Sequence, residues 1–140
     1  MTTHVLVDTN VLIDVLDNDP TWADWSIEQL RAQSKLRPLA INAIIYAELS
    51  LVFSRIEQLD DAVSQLGLTV LEISRPALFI ASRAFIQHKG AGGTKPNVLP
   101  DFMIGAHAAT EKMPVLTRDI RCYKTYFPTV TLIALSDTPD

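Results

Sequence analysis

The chain has 140 residues, 48% of them hydrophobic and 20% charged. That is ordinary globular composition, which excludes a disordered or fibrous chain and suffices for one domain with a real core. The formal net charge of -4 speaks, at first sight, against a nucleic-acid partner.

A single cysteine, Cys122, allows no internal disulfide and fits a reducing cytoplasm. Apolar runs are far shorter than the roughly 20 residues of a membrane span. No basic patch precedes an apolar run near the N-terminus, so no signal peptide is expected. The charge is also uneven. Residues 1–74 hold 4 Lys/Arg against 11 Asp/Glu, whereas residues 75–124 hold 8 against 3. The basic stretch reads either as solvated helix faces or as a phosphate-facing surface.

In chain order, the short apolar run His4 to Asp8 predicts a buried parallel strand. Thr9 and Asn10 offer capping chemistry for a helix near Val11, which the Asp17-Asn18-Asp19-Pro20 break ends. A second helix is expected from Thr21 to about Gln33, with Trp22, Trp25, Ile27 and Leu30 as apolar positions. Leu39–Ile41 predicts a second strand, and Asn42 caps the helix that carries Glu48. A polar break around Glu57 to Asp60 is expected before another helix, which ends near Gly67. Thr69–Ile73 reads as a third strand.

Pro76 to His88 predicts a helix with Leu78, Ala81, Phe85 and Ile86 facing the core. Lys89 to Leu99 reads as a loop, and Pro100 opens a helix to about Lys112. Pro114–Thr117 predicts a fourth strand, Ile120–Phe127 a helical turn, and Val130–Leu135 a last strand. Strands and helices alternate, so the chain is expected to be an α/β sandwich around a mostly parallel sheet. Ligands of such sheets bind beyond the carboxyl ends of the strands, where strand order reverses.

Four acids suit such a site. Asp8 ends the first strand, Asp119 follows the fourth, Asp101 lies in the first turn of its helix, and Glu48 sits in an otherwise apolar helix. Each also has a local role open to it: capping for Asp8 and Asp119, the helix dipole for Asp101, an exposed face for Glu48. Together in one cleft they would repel one another and raise some of their own pKa values. A hard divalent cation with oxygen ligands resolves that conflict and can activate water beside a phosphate.

The four stretches in order resemble the PIN-domain ribonucleases, and more closely the VapC-type toxins of toxin–antitoxin pairs. They are Val7–Ile13, Asn42 to Ser50, Pro100–Ala108, and Leu116–Asp119 with Tyr123, Tyr126-Phe127-Pro128 and Leu132-Ile133. The resemblance runs from about Val5 to Ile133. It implies a single PIN domain over residues 1–140, a three-layer sandwich whose five-stranded parallel sheet has the order 3-2-1-4-5. It implies a cytoplasmic, Mg²⁺- or Mn²⁺-dependent endoribonuclease with Asp8, Glu48, Asp101 and Asp119 as catalytic and metal-binding residues. Asp8 and Asp101 are then expected as direct ligands. Glu48 and Asp119 would act through water, at a second metal, or on the attacking water. Asn10 and Thr117 are the supporting polar residues, and Lys95 and Arg118 are candidate RNA contacts. The resemblance further implies a small VapB-like antitoxin and a homodimer. Trp22 and Trp25 read either as core residues or as part of the antitoxin's docking face.

Competing readings are weaker. Gly90 to Lys95 hints at a phosphate loop, but Pro96 stands where Ser or Thr is required. His4, His88 and His107 share no metal-ligand spacing, and His107 reads as structural. No G-x-S-x-G occurs, and no His lies near Cys122 in sequence. A phosphatase or phosphoacceptor with Asp8 as nucleophile would need a second acid at the place of Asn10, or acids within residues 4–7. A non-catalytic RNA-binding module would present four acids to a polyanion without metal.

Overall fold

The computed structural model describes residues 3–90, 92 and 99–134. The expected order of elements is present. Strand β1 (Val5–Val7) leads into helix α1 (Thr9–Leu16), α2 (Ala23–Ser34) and β2 (Leu39–Asn42). Helix α3 (Ala43–Leu49), a 3-10 turn (Ser50–Val52) and α4 (Ile56–Gln65) precede β3 (Leu68–Leu71). Helices α5 (Arg75–Gly90) and α6 (Leu99–Glu111) then lead to β4 (Val115–Leu116), α7 (Arg121–Tyr126) and β5 (Leu132–Ile133).

The strands form one sheet of order β3-β2-β1-β4-β5, and every neighbouring pair is parallel. Helices flank it, as expected of an α/β sandwich. β1 is fully buried along Val5, Leu6 and Val7, consistent with a central parallel strand. The chain leaves β1 toward β2 and β3 and returns on the other side as β4. Strand order therefore reverses between β1 and β4, and their carboxyl ends open a crevice there.

Several local expectations need correction. The acids Glu57, Asp60 and Asp61 lie within α4, on its solvent side, while Leu59 and Val63 face the core. The break falls earlier, at Phe53 to Arg55, and Gly67 ends the segment at φ +69°. On α5 the buried positions are Ala77, Ala81 and Ala84, while Leu78 and Ile86 are exposed. Close packing of α5 on α6 selects small residues there, so the large side chains turn outward. Helix α1 begins at Thr9, and Asp8 rather than Thr9 is its N-cap. The last strand is the short pair Leu132–Ile133; Leu135, Lys95 and most of the glycine-rich stretch lie outside the described residues.

Two contacts set how the site-bearing helices sit. Asn42 caps α3 by accepting from the Ile44 and Ile45 N–H groups at 3.1 and 3.0 Å. Its Nδ2 donates to Nδ1 of buried His107 on α6 at 3.0 Å, tying α3 to α6. Burial lowers the His107 pKa, so the ring stays neutral and accepts that bond. Gly105, one turn beyond Asp101, packs against Phe127; a Cβ there would come within 2.4 Å of the Phe127 ring.

Candidate active site

At the crevice between β1 and β4 lies a cleft of about 370 Å³, and Asp8, Glu48, Asp101 and Asp119 all line it. The fold thus joins acids that lie far apart in the chain. Asp8 leaves the end of β1, Asp119 follows β4, Glu48 projects from α3, and Asp101 lies in the first turn of α6.

Asp8 is the most constrained. It is 6% exposed, and its Oδ1 accepts from the Thr9 N–H at 2.8 Å. Its Oδ2 accepts from the Tyr123 hydroxyl at 2.8 Å and the Thr117 hydroxyl at 2.9 Å. Thr117 has one proton to give, and the charged carboxylate is the stronger acceptor than the Asp119 carbonyl at 3.2 Å. Burial nevertheless raises the Asp8 pKa, the hydroxyl and N–H donors oppose it, and the charge of Asp119 adds to the rise. Glu48 is raised by burial as well, against its bond from Thr9 and with a contribution from Asp8.

Asn10 and Thr117 meet directly. Asn10 Nδ2 donates to the Thr117 hydroxyl at 3.3 Å, and its Oδ1 accepts from the Arg118 N–H at 3.3 Å. The turn after β4 is thereby tied to the start of α1. The Arg118 guanidinium makes a two-pronged pair with Asp14, at 2.8 and 2.9 Å, and lies over the Trp22 ring. Asp14 is 1% exposed and also accepts from the Ser26 hydroxyl at 2.9 Å. Asp119 pairs with Arg121 at 3.1 Å, near the surface. Trp22 and Trp25 stack edge to face and are half-buried.

Two residues of this site, Thr9 and Tyr123, and one scaffold residue beside it, Asp14, escaped the sequence reading in these roles. Thr9 bridges two of the acids, its N–H on Asp8 and its hydroxyl on Glu48 Oε1 at 2.5 Å. Tyr123 holds Asp8; the closing stretch of the resemblance includes it, one helical turn after Asp119, but gives it no role. Asp14 shares a helix face with the buried Val11, a spacing that marks burial but not its partner. Cys122 also lines the cleft, yet burial and the nearby carboxylates push its thiol up to about 12. It stays protonated and is no nucleophile.

The donor set is all oxygen apart from that thiol, which suits Mg²⁺ or Mn²⁺. Among the described residues, no three acidic, His or Cys side chains stand close enough to hold an ion as placed. Mg²⁺ keeps several waters and needs only one or two carboxylates, so the set still fits it. Asp8 accepts three bonds where a carboxylate has about four acceptor sites, leaving one on Oδ1.

The family model of the PIN domain matches residues 5–128. The chain belongs to the PIN-domain family. Its fold is similar to that of VapBC2 from Rickettsia felis, bound to a DNA fragment from their promoter. That match has a TM-score of 0.72 and 21% identity, over 94% of this chain and 98% of the other. VapBC-1 from nontypeable Haemophilus influenzae is similar at a TM-score of 0.68 and 20% identity, over 95% and 98%. A toxin–antitoxin complex from Klebsiella pneumoniae is similar at a TM-score of 0.59 and 26% identity, over 91% and 95%. Among curated proteins no significant sequence match is found. PIN domains are generally nucleases, and the acid cleft of this one lies where the sheet topology puts a ligand.

Proposed function

We propose that this PIN domain is a divalent-metal-dependent endoribonuclease and the toxin of a type II toxin–antitoxin pair. One observation carries the reading: four carboxylates from four distant segments share a cleft at the β1/β4 switch point. Such a cluster is expensive without a cation and useful with one. The structural neighbours that are VapBC or toxin–antitoxin complexes support the toxin reading and a small VapB-like partner.

In this reading Asp8 and Asp101 hold the ion. When bound, it neutralises charge on the phosphate and acidifies a water molecule. Tyr123, Thr117 and Thr9 keep the Asp8 carboxylate from rotating. Glu48 and Asp119 accept the hydrogen bonds of the attacking water, and Asn10 and Thr117 set the turn that carries Asp119. Lys95 and the outer edge of Arg118 contact the RNA backbone. The exposed apolar residues Phe79, Ile80 and Ile86 on α5 suit a homodimer contact. The domain comprises residues 1–140 and works in the cytoplasm; no described helix is long and apolar enough to cross a membrane.

The phosphoacceptor alternative sits badly with Asp8, whose oxygens are both engaged by donors that blunt a nucleophile. The deciding experiment measures RNA cleavage in Mn²⁺ by wild type and Asp8→Asn. The variant is expected to lose at least about 100-fold in rate while keeping its circular-dichroism spectrum. Undiminished metal-dependent cleavage by the variant overturns the assignment.

A further inference from the structure

The acid cleft continues past Asp101 and Asp119. On their far side is a second cleft of about 310 Å³, which shares those two acids and Cys122 with the first. Its own walls are His88 near the end of α5, Phe102 in the first turn of α6, and Thr125 and Tyr126 at the end of α7; Arg121 stands at the rim. We infer that this second cleft is a subsite for one unpaired nucleobase of the RNA, the base adjacent to the phosphate over the four carboxylates. The inference rests on the ribonuclease reading and adds a substrate subsite to it.

The chemistry of the wall comes first. Phe102 is 1% exposed and backs the other two rings, Tyr126 at 4.9 Å and His88 at 5.6 Å between centroids. His88 and Tyr126 are only half-buried, so part of each ring borders the cleft. Single-stranded RNA is held by stacking splayed bases on rings of this kind. The wall also carries polar atoms at its surface and just beneath it. His88 Nδ1 lies 3.0 Å from the Tyr126 hydroxyl, while His88 Nε2 is buried without a hydrogen-bond partner among the described residues. Being buried, Nε2 meets a base edge only once the His88 ring turns toward the cleft.

Charge and size point the same way. Arg121 spends Nε and Nη2 on Asp119, which leaves three of its five N–H donors for a phosphate. It lines the second cleft and not the first, so a phosphate on it belongs to the nucleotide whose base fills the second cleft. The volume falls at the small end of ligand clefts, roughly 300–1,000 Å³, which suits one nucleotide and no duplex.

The test has two arms. Isotope-labelled wild-type protein is titrated with each of the four nucleoside 5′-monophosphates and followed by NMR. Shifts are expected at His88, Thr125 and Tyr126, with one base favoured; shifts elsewhere only, or none, overturn the subsite. In the second arm, cleavage of a short single-stranded RNA pool is compared for wild type, His88→Ala, Tyr126→Leu and Tyr126→Phe. The first two are expected to raise KM about tenfold, with kcat within about twofold, and to flatten base preference beside the cut. Tyr126→Phe keeps the ring and is expected to keep the preference. Unchanged KM and preference in His88→Ala and Tyr126→Leu also overturn it. If wild type cleaves no RNA, the ribonuclease reading falls, and the nucleotide titration still decides the subsite.

Discussion

Helix α1 begins on one buried acid and carries another six residues later, and the two are treated oppositely. Asp14 is neutralised by the two-pronged Arg118 and a bond from Ser26, with Trp22 over the guanidinium. Asp8 is buried almost as deeply but meets only neutral donors, and no basic side chain contacts it among the described residues. The molecule has the means to neutralise a buried acid with its own arginine and does so on one side of α1 only. A carboxylate held by hydroxyls is fixed in direction while keeping its charge for something else. Asp14 belongs to the scaffold, and Asp8 belongs to the site.

That contrast can be broken experimentally, and the largest effect is on activity. Asp8→Asn should cost at least about 100-fold in cleavage and leave the thermal midpoint unchanged or higher, since an uncompensated buried charge is removed. Arg118→Met should act on stability: it strands Asp14 and costs about 3 kcal/mol, the low end for a broken buried pair because Arg118 stays partly in solvent. Chemical denaturation reads this directly. Adding Asp14→Asn to that variant should recover most of the loss, and no recovery would mean that the pair is not what holds the turn after β4.

A third expectation concerns the cation. Mn²⁺ at about 100 times its dissociation constant should stabilise wild type by about 2.7 kcal/mol and leave Asp8→Asn unmoved. The Asp14→Asn, Arg118→Met double variant should keep the response, and calorimetric midpoints with and without chelator decide it. The smallest effect is that of Tyr123→Phe. It removes one donor to a buried carboxylate, should cost about 1 kcal/mol, and should weaken Mn²⁺ binding without abolishing it.

The pH dependence has a definite sign. Burial raises the Asp8 and Glu48 pKa values, so the folded chain holds their protons more tightly than the unfolded chain does. Their stabilising contribution is complete below the ordinary carboxylate range and is lost as pH climbs through the raised values. Between acid and neutral pH, metal-free wild type should therefore lose thermal stability relative to Asp8→Asn, in which that position no longer titrates.

Much of this was legible from the chain. The fully apolar run of β1, with Asp8 at its end, fixed a central strand and one corner of the site. The alternation of elements pointed to a parallel sheet with its site at the strand ends, and the strand order that brings Asp119 to Asp8 came from the family resemblance. The pairing of α5 was less legible, because a helix that packs closely through Ala77, Ala81 and Ala84 leaves its bulky residues outward. Hydrophobicity then marks the wrong face. The acids of α4 looked like a break because polarity alone does not separate a loop from the solvent side of a helix. Asp14 and Arg118 are 104 residues apart, and no local pattern announces a pair made by the fold. Thr9 and Tyr123 were hidden for a similar reason: a hydroxyl declares no direction in sequence.

The bare backbone at Gly105 has a consequence for this cleft. Asp101 rides one turn before it on α6, and Phe127 follows directly on α7, whose Tyr123 grips Asp8. The missing side chain acts as a gauge block, setting the gap between the helix that carries one acid and the helix that holds another. Any larger residue would wedge the two apart. The width of the acid cleft is thus written at a position that never touches it, by atoms that are not there.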